Sequence, residues 1–292
     1  MSGTGQLLVF GRDGQVGSAL VRLLAPRDEM EVTAVDIGEV DLTDTVATRS
    51  MVLDTAPDWV INTSAHTAVE LAESEPDLAH LLNAVAPGVI AEACSECGAA
   101  MVHYSTDYVF DGSASQPYDE LDEPNPQSIY GKTKLEGERA VAGSLDRHIL
   151  LRTAWVYSPH GKNFVNTMLR LAEDRQELNV VEDQYGSPTL AEDLAGVTLN
   201  IVDQINAGQV EAPWGVYHAT GQGVTNWSGF AKSILALAGK KDVRVRPIPA
   251  SDYPTPAPRP AYSVLSNKRL EQVFGLSLPH WEDALARCLS DR

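Results

Sequence analysis

This sequence predicts an α/β protein with a doubly wound parallel sheet and a smaller C-terminal substrate-binding lobe. Three observations lead there. Short apolar runs alternate with helical stretches from residue 7 to residue 151. The first of those runs opens directly into a glycine turn. After Trp155 the alternation loosens, and a proline-rich stretch at 247–260 is short of the backbone donors a helix needs.

Taken in order, strands are predicted at 7–10, 31–35, 59–61, 100–104 and 148–151. Each is brief, apolar and bounded by turn residues, the signature of a strand buried on both faces. Helices are predicted between them at 16–24, 45–55, 79–96 and 128–142. Strands alternating with helices imply parallel pairing, and right-handed crossovers then put every strand's carboxyl end on one edge. Gly11, Asp36, Asn62, Thr106 and Thr153 are thereby gathered along one crevice. Further on, helices are predicted at 164–174, 191–205, 227–238 and 280–289, with a short strand at 215–218. The division is therefore a dinucleotide-binding domain at 1–155 and a substrate-binding lobe at 156–292, with the chain crossing between them more than once.

The chemistry is carried by three segments. Gly11-Arg12-Asp13-Gly14-Gln15-Val16-Gly17 lies between the first strand and the first helix. There the glycines let the backbone turn tightly and approach a pyrophosphate seated on the helix N-terminus. Ser105, Thr106 and Asp107 fall at the carboxyl end of the fourth strand, where hydroxyls could reach a substrate oxygen. Tyr130 and Lys134 stand four residues apart, on one helix face. A positive charge beside the phenol, together with the positive end of the helix, would favour the phenolate and make Tyr130 an acid/base group. Lowering a tyrosine by ~3 pH units needs about 4 kcal/mol, more than one exposed lysine supplies, so a partly desolvated site is expected. Asp36, after the second strand, is placed to bind the adenosine ribose and repel a 2′-phosphate, whereas Arg12 would attract one.

Composition narrows the class. The chain has 292 residues and a net charge of −18, so nucleic acid and anionic membranes are disfavoured as partners. No apolar run approaches membrane-spanning length and the amino terminus lacks a basic region before an apolar core, so a cytoplasmic location is expected. Three cysteines make no disulfide framework, and Cys94 and Cys97 read as helix-packing thiols rather than a metal or redox pair.

Glycine turn, hydroxyl segment and Tyr-x-x-x-Lys together resemble the extended short-chain dehydrogenase/reductases, whose nucleotide-binding domain is Rossmann-type. Finer segments resemble the dTDP-4-dehydrorhamnose reductase family. These are Gly14 to Gly17, Asn62 to Val69, Ala72 to Pro76, Ser105 to Gly112, Tyr130 to Lys134, Arg152 to Tyr157, Asp183 to Thr189 and Pro254 to Pro260. The resemblance runs from residue 7 to about residue 260. It implies NADH or NADPH as cofactor and a dTDP-4-dehydro-6-deoxysugar as substrate, reduced at its C4 ketone. It implies Tyr130, Lys134 and Thr106 as catalytic residues. Gly11, Arg12, Gly14, Gln15, Val16, Gly17, Asp36, Asp41, Leu42, Ala65, His66 and Thr67 would bind the cofactor together with Tyr130 and Lys134. Ser105, Thr106, Asp107, Trp155, Asn163 and Arg259 would meet the substrate. Asn83 matches a helix asparagine of the extended members, with packing or helix bending as the alternative. A monomer or homodimer is implied. Some members dimerise through Mg²⁺, toward which Glu192-Asp193 could contribute, although an acidic pair at a helix start is the simpler reading and no metal ligand is assigned. Two other functions share these features: a related nucleotide-sugar ketoreductase or epimerase, and a non-catalytic regulatory subunit such as the methionine adenosyltransferase β subunit.

Overall fold

The computed structural model describes residues 5–28, 30–211 and 213–290. Six parallel strands form its main sheet: β1 (Gly5–Phe10), β2 (Met30–Val35), β3 (Trp59–Asn62), β4 (Ala100–Thr106), β5 (His148–Thr153) and β6 (Gly215–His218). Their spatial order is β6-β5-β4-β3-β1-β2. Phe10 pairs with both Val35 and Asn62, so the order reverses around β1 and a crevice opens beyond its carboxyl end.

Both faces of the sheet are apolar, and the period of two shows in the packing. Leu7, Val9, Ile61, Val102 and Leu151 face one side. Leu8, Phe10, Val60, Met101 and Leu150 face the other. The first face is covered by α1 (Gln15–Leu24) and the second by α2 (Thr45–Thr55), α3 (Pro76–Cys97) and α4 (Ile129–Ser144). A later helix, α6 (Ala191–Asn206), joins α1 on the first face through Leu194, Leu199 and Ile201. With β6 on the sheet edge as well, the chain's second half supplies a strand and a helix to the nucleotide-binding layer.

Helix α3 departs from expectation in two ways. It starts at Pro76 and contains a π-helical turn at Leu81–Val85, between α-helical Pro76–His80 and Ala86–Cys97. At 22 residues it is also long and apolar enough to cross a membrane, contrary to the reading of the sequence. Its apolar side is spent on the sheet, where Ile90, Ala91 and Cys94 are fully buried against β-strand residues.

The remaining segments make a second core around Tyr157, Met168, Val180, Phe230 and Trp281. It is built from α5 (Phe164–Asp174), α7 (Trp227–Leu237) and α8 (Trp281–Ser290). A two-stranded parallel pair, Glu177–Val181 with Arg244–Ile248, lies alongside. That pair takes Pro247 into a strand, where the sequence suggested only irregular chain; Pro has no N–H to give, and a two-stranded edge does not require one.

Candidate active site

The glycine turn is built for close approach. Gly11 has φ +85°, a left-handed conformation, and a Cβ there would come within 2.9 Å of the Ser64 amide nitrogen. A Cβ on Gly17 would lie 1.9 Å from the Gly11 carbonyl oxygen, so α1 can pack against the turn only with glycine at that position. Gly14 is the N-cap of helix α1 and brings no side chain to take up the helix's first amides. Such a helix end above a turn with no side-chain bulk fits a dinucleotide pyrophosphate.

At the adenosine end, Asp36 accepts from the backbone amides of Asp13 (2.9 Å) and Ile37 (2.8 Å). Arg12 is engaged by the chain itself. It forks onto Glu39 at 3.0 and 3.1 Å, donates to the Ala34 carbonyl at 3.0 Å and to Asp13 at 3.3 Å. Asp41 caps its own loop through Thr43, while Leu42 turns into the core. Gln15 faces the second lobe, accepting from Ser158 (3.0 Å) and Asn163 (2.9 Å).

The proton site forms at the end of β4. Strand β4 continues through Ser105 and Thr106, two residues past the predicted end. The Ser128 hydroxyl caps α4 by accepting from the Gly131 amide at 3.1 Å, which starts the helix one residue before Tyr130. Gly131 allows the approach, because a Cβ there would meet the Tyr108 carbonyl at 2.2 Å. Tyr130 is thereby brought close enough to the Thr106 side chain to feel it, and it meets Tyr108 edge-on at 5.6 Å. Burial pushes the Tyr130 phenol up to about 12, with the Thr106 side chain opposing and Asp107 adding to the rise. Burial is the dominant influence on the phenol, and it favours the neutral form.

Lys134 is 2% exposed and points inward. Its Nζ donates to the Tyr104 carbonyl at 2.6 Å and lies 3.3 Å from His103 Nε2. Burial lowers the ammonium to about 8, with Glu138 one turn on opposing. His103 is held in turn by Asn62, whose Oδ1 accepts from the Ser64 amide (3.0 Å) and whose Nδ2 faces His103 Nδ1 (3.2 Å). His103 gave no signal in the sequence because its role depends on two neighbours, Asn62 and Lys134, that are remote in the chain.

Asp107, 2% exposed, is pushed up to about 6, chiefly by burial, and its Oδ2 has no hydrogen-bond partner. Ser105 Oγ is likewise buried without a partner. His66 donates its backbone amide to Asn83 Oδ1 (2.8 Å), and Asn83 Nδ2 reaches the His66 carbonyl and Thr133 Oγ1. The π turn places Asn83 for this, tying the Ala65-His66-Thr67 loop to the helix that carries Tyr130. Thr67 itself is exposed.

On the substrate side, Trp155 has φ +49°, a costly conformation for a bulky residue. It is kept there by stacking on Trp227 at 3.4 Å and by Gly186, whose missing Cβ makes room for the indole. Arg259 is gripped by Glu70, which also accepts from the Ala257 amide (3.0 Å). Sequence reasoning passed over Glu70, as it did Glu39. Asn163, expected to meet the substrate, caps α5 by accepting from Asn166 and donates its amide to Gln15 and the Ser158 and His160 carbonyls. It joins the two lobes. Asp193 is held by Arg287, and among the described residues no group of three or more His, Cys, Asp or Glu could hold a metal.

The RmlD substrate binding domain model matches residues 5–292. The dTDP-4-dehydrorhamnose reductase of Salmonella typhimurium is 42% identical over 98% of this chain and 97% of its own. Among solved structures, the dTDP-4-dehydrorhamnose reductase of Clostridium acetobutylicum superposes with TM-score 0.92 at 41% identity, covering 98% of each chain. That of Bacillus anthracis, in complex with NADP, also gives TM-score 0.92, at 34% identity, covering 99% of this chain and 100% of that one. Matched by that family model over residues 5–292 and by a reductase 42% identical over 98% of its length, the chain belongs to the RmlD substrate-binding-domain family, that of the dTDP-4-dehydrorhamnose reductases.

Proposed function

We propose that this protein is an NAD(P)H-dependent oxidoreductase that reduces the C4 ketone of a dTDP-4-dehydro-6-deoxysugar, dTDP-4-dehydro-L-rhamnose to dTDP-L-rhamnose. The observation that carries the reading is the closeness of the Tyr130 and Thr106 side chains, at the same carboxyl edge of the sheet as the glycine turn. When bound, the dihydronicotinamide supplies hydride to the ketone carbon. Tyr130, neutral at working pH, gives its proton to the developing alkoxide, and Thr106 orients the same oxygen. Lys134 serves the nicotinamide ribose and Tyr130 from the floor of the site. Gly11, Gly14 and Gly17 leave room for the pyrophosphate, and Gln15 and Val16 offer it their amides. Asp36 serves the adenosine ribose. Trp155 provides an aromatic shelf for the sugar or nucleotide, and Arg259, steadied by Glu70, offers a cation to the diphosphate of the substrate. The net charge of −18 supports an aqueous, cytoplasmic setting without nucleic-acid or anionic-membrane partners.

The test follows oxidation of NADH and NADPH by the purified protein with dTDP-4-dehydro-L-rhamnose, and reads the product's C4 configuration by NMR. Turnover to dTDP-L-rhamnose is expected. A protein that binds the nucleotide yet leaves this ketone unreduced would remove the substrate assignment.

A further inference from the structure

Resting on the dinucleotide reading above, the geometry points to Glu39 as the positioning residue that sets cofactor choice. By holding Arg12, it steers this site toward NADH. The sequence places opposing groups here, Asp36 against a 2′-phosphate and Arg12 in favour of one. Glu39 is what decides between them.

Every nitrogen of the Arg12 guanidinium is committed within the chain. Nη2 forks onto both Glu39 oxygens at 3.0 and 3.1 Å, Nη1 serves the Ala34 carbonyl at 3.0 Å and Nε serves Asp13 at 3.3 Å. With its three nitrogens turned to three different acceptors, the guanidinium has no pair of nitrogens free to fork onto a phosphate. Glu39 is itself fixed, since its Oε2 accepts from the Asp36 amide at 3.0 Å. One carboxylate therefore anchors both the glycine turn and the loop after β2. The Asp36 amide bond first, and Arg12 after it, lower the Glu39 carboxyl below the usual range and keep it ionised.

Charge adds to geometry. Asp13, Asp36 and Glu39 surround a single cation, Arg12, and Asp36 meets both the Asp13 and Ile37 amides. The local balance is net negative where a 2′-phosphate would sit, and like charges brought together there are repelled. A ribose with free hydroxyls meets no such repulsion and can still donate to Asp36.

The experiment measures binding of two cofactor fragments, ADP-ribose and its 2′-phosphate, to the full-length protein by calorimetry, with no turnover required. The wild type should bind ADP-ribose about tenfold tighter or more. Glu39→Ala, which frees Arg12 and deletes a charge, should move that ratio about tenfold or more toward the 2′-phosphate. Glu39→Gln keeps an acceptor for the Asp36 amide and should move it part of the way. A merely structural role would weaken both fragments together and leave the ratio fixed. An unchanged ratio in both variants, or a wild type that prefers the 2′-phosphate, overturns the proposal. Failure of the wild type to bind either fragment would overturn it together with the dinucleotide reading, and is a distinct result.

Discussion

The turn between β1 and α1 and the site at the end of β4 share one edge of the sheet but are made of different material. The turn offers backbone. Its glycines remove side-chain bulk, its helix end has no side-chain cap, and its charged groups, Arg12 and Glu39, lie partly in solvent. The proton site offers side chains almost wholly withdrawn from water: Thr106, Asp107, Lys134 and His103 are each no more than 5% exposed. Sterics and amide direction govern the first. Desolvation governs the second, moving Tyr130 up to about 12, Asp107 up to about 6 and Lys134 down to about 8. A phosphate needs room and amides, while proton transfer needs groups whose protonation the surroundings have set.

The largest expected effect that separates the two regions is that of Tyr130→Phe. It removes the proton donor and keeps the ring, so turnover should fall by about 10²–10⁴-fold. Nucleotide affinity, which we assign chiefly to the turn, should stay close to wild type. Activity within about threefold of wild type would end the assignment of Tyr130 as the acid.

Gly17→Ala probes the opposite region. Its Cβ would press on the Gly11 carbonyl at 1.9 Å, so either α1 or the turn must shift. We expect a loss of roughly 1–3 kcal/mol in stability from overpacking, with nucleotide affinity weakened about tenfold or more. Urea unfolding and nucleotide titration measure the two separately. Wild-type affinity in the alanine variant would show that the pyrophosphate does not use this turn.

The smallest effect is a change of slope. The unfolded chain keeps the Lys134 proton up to its ordinary 10.5, whereas the folded chain releases it near 8. Between those values the unfolded state binds more protons, so this residue makes stability rise with pH. Lys134→Met should remove that rise, seen as a flatter urea midpoint between pH 8 and 10. An unaltered slope would place Lys134 in a more hydrated setting than its contacts indicate.

Much of the fold could be read from the residues. Leu7-Leu8-Val9-Phe10 sends alternate side chains to two different cores because a strand has a period of two, and the flanking glycine turn fixed where it stops. Of the candidate site, the glycines and the Tyr130–Lys134 spacing were legible, since both follow from local geometry. The π turn at Asn83 was not. An extra residue in a helical turn has no compositional mark, and this one is held by partners at His66 and Thr133. The pair Trp155–Trp227 escaped for a similar reason, being a contact between residues 72 positions apart.

By itself, then, the sequence determined the strand and helix alternation, the crevice along the carboxyl ends and the residue types lining it. These depend on backbone periodicity and on residues close in the chain. Tertiary structure alone decided the electrostatics. That burial raises Tyr130, that Arg12 meets Glu39 and that Asn163 bridges to Gln15 depend on which distant groups arrive within about 3–4 Å and how much water they displace. Coulombic and solvation energies are functions of distance in space, and the spacing of residues along the chain does not give that distance.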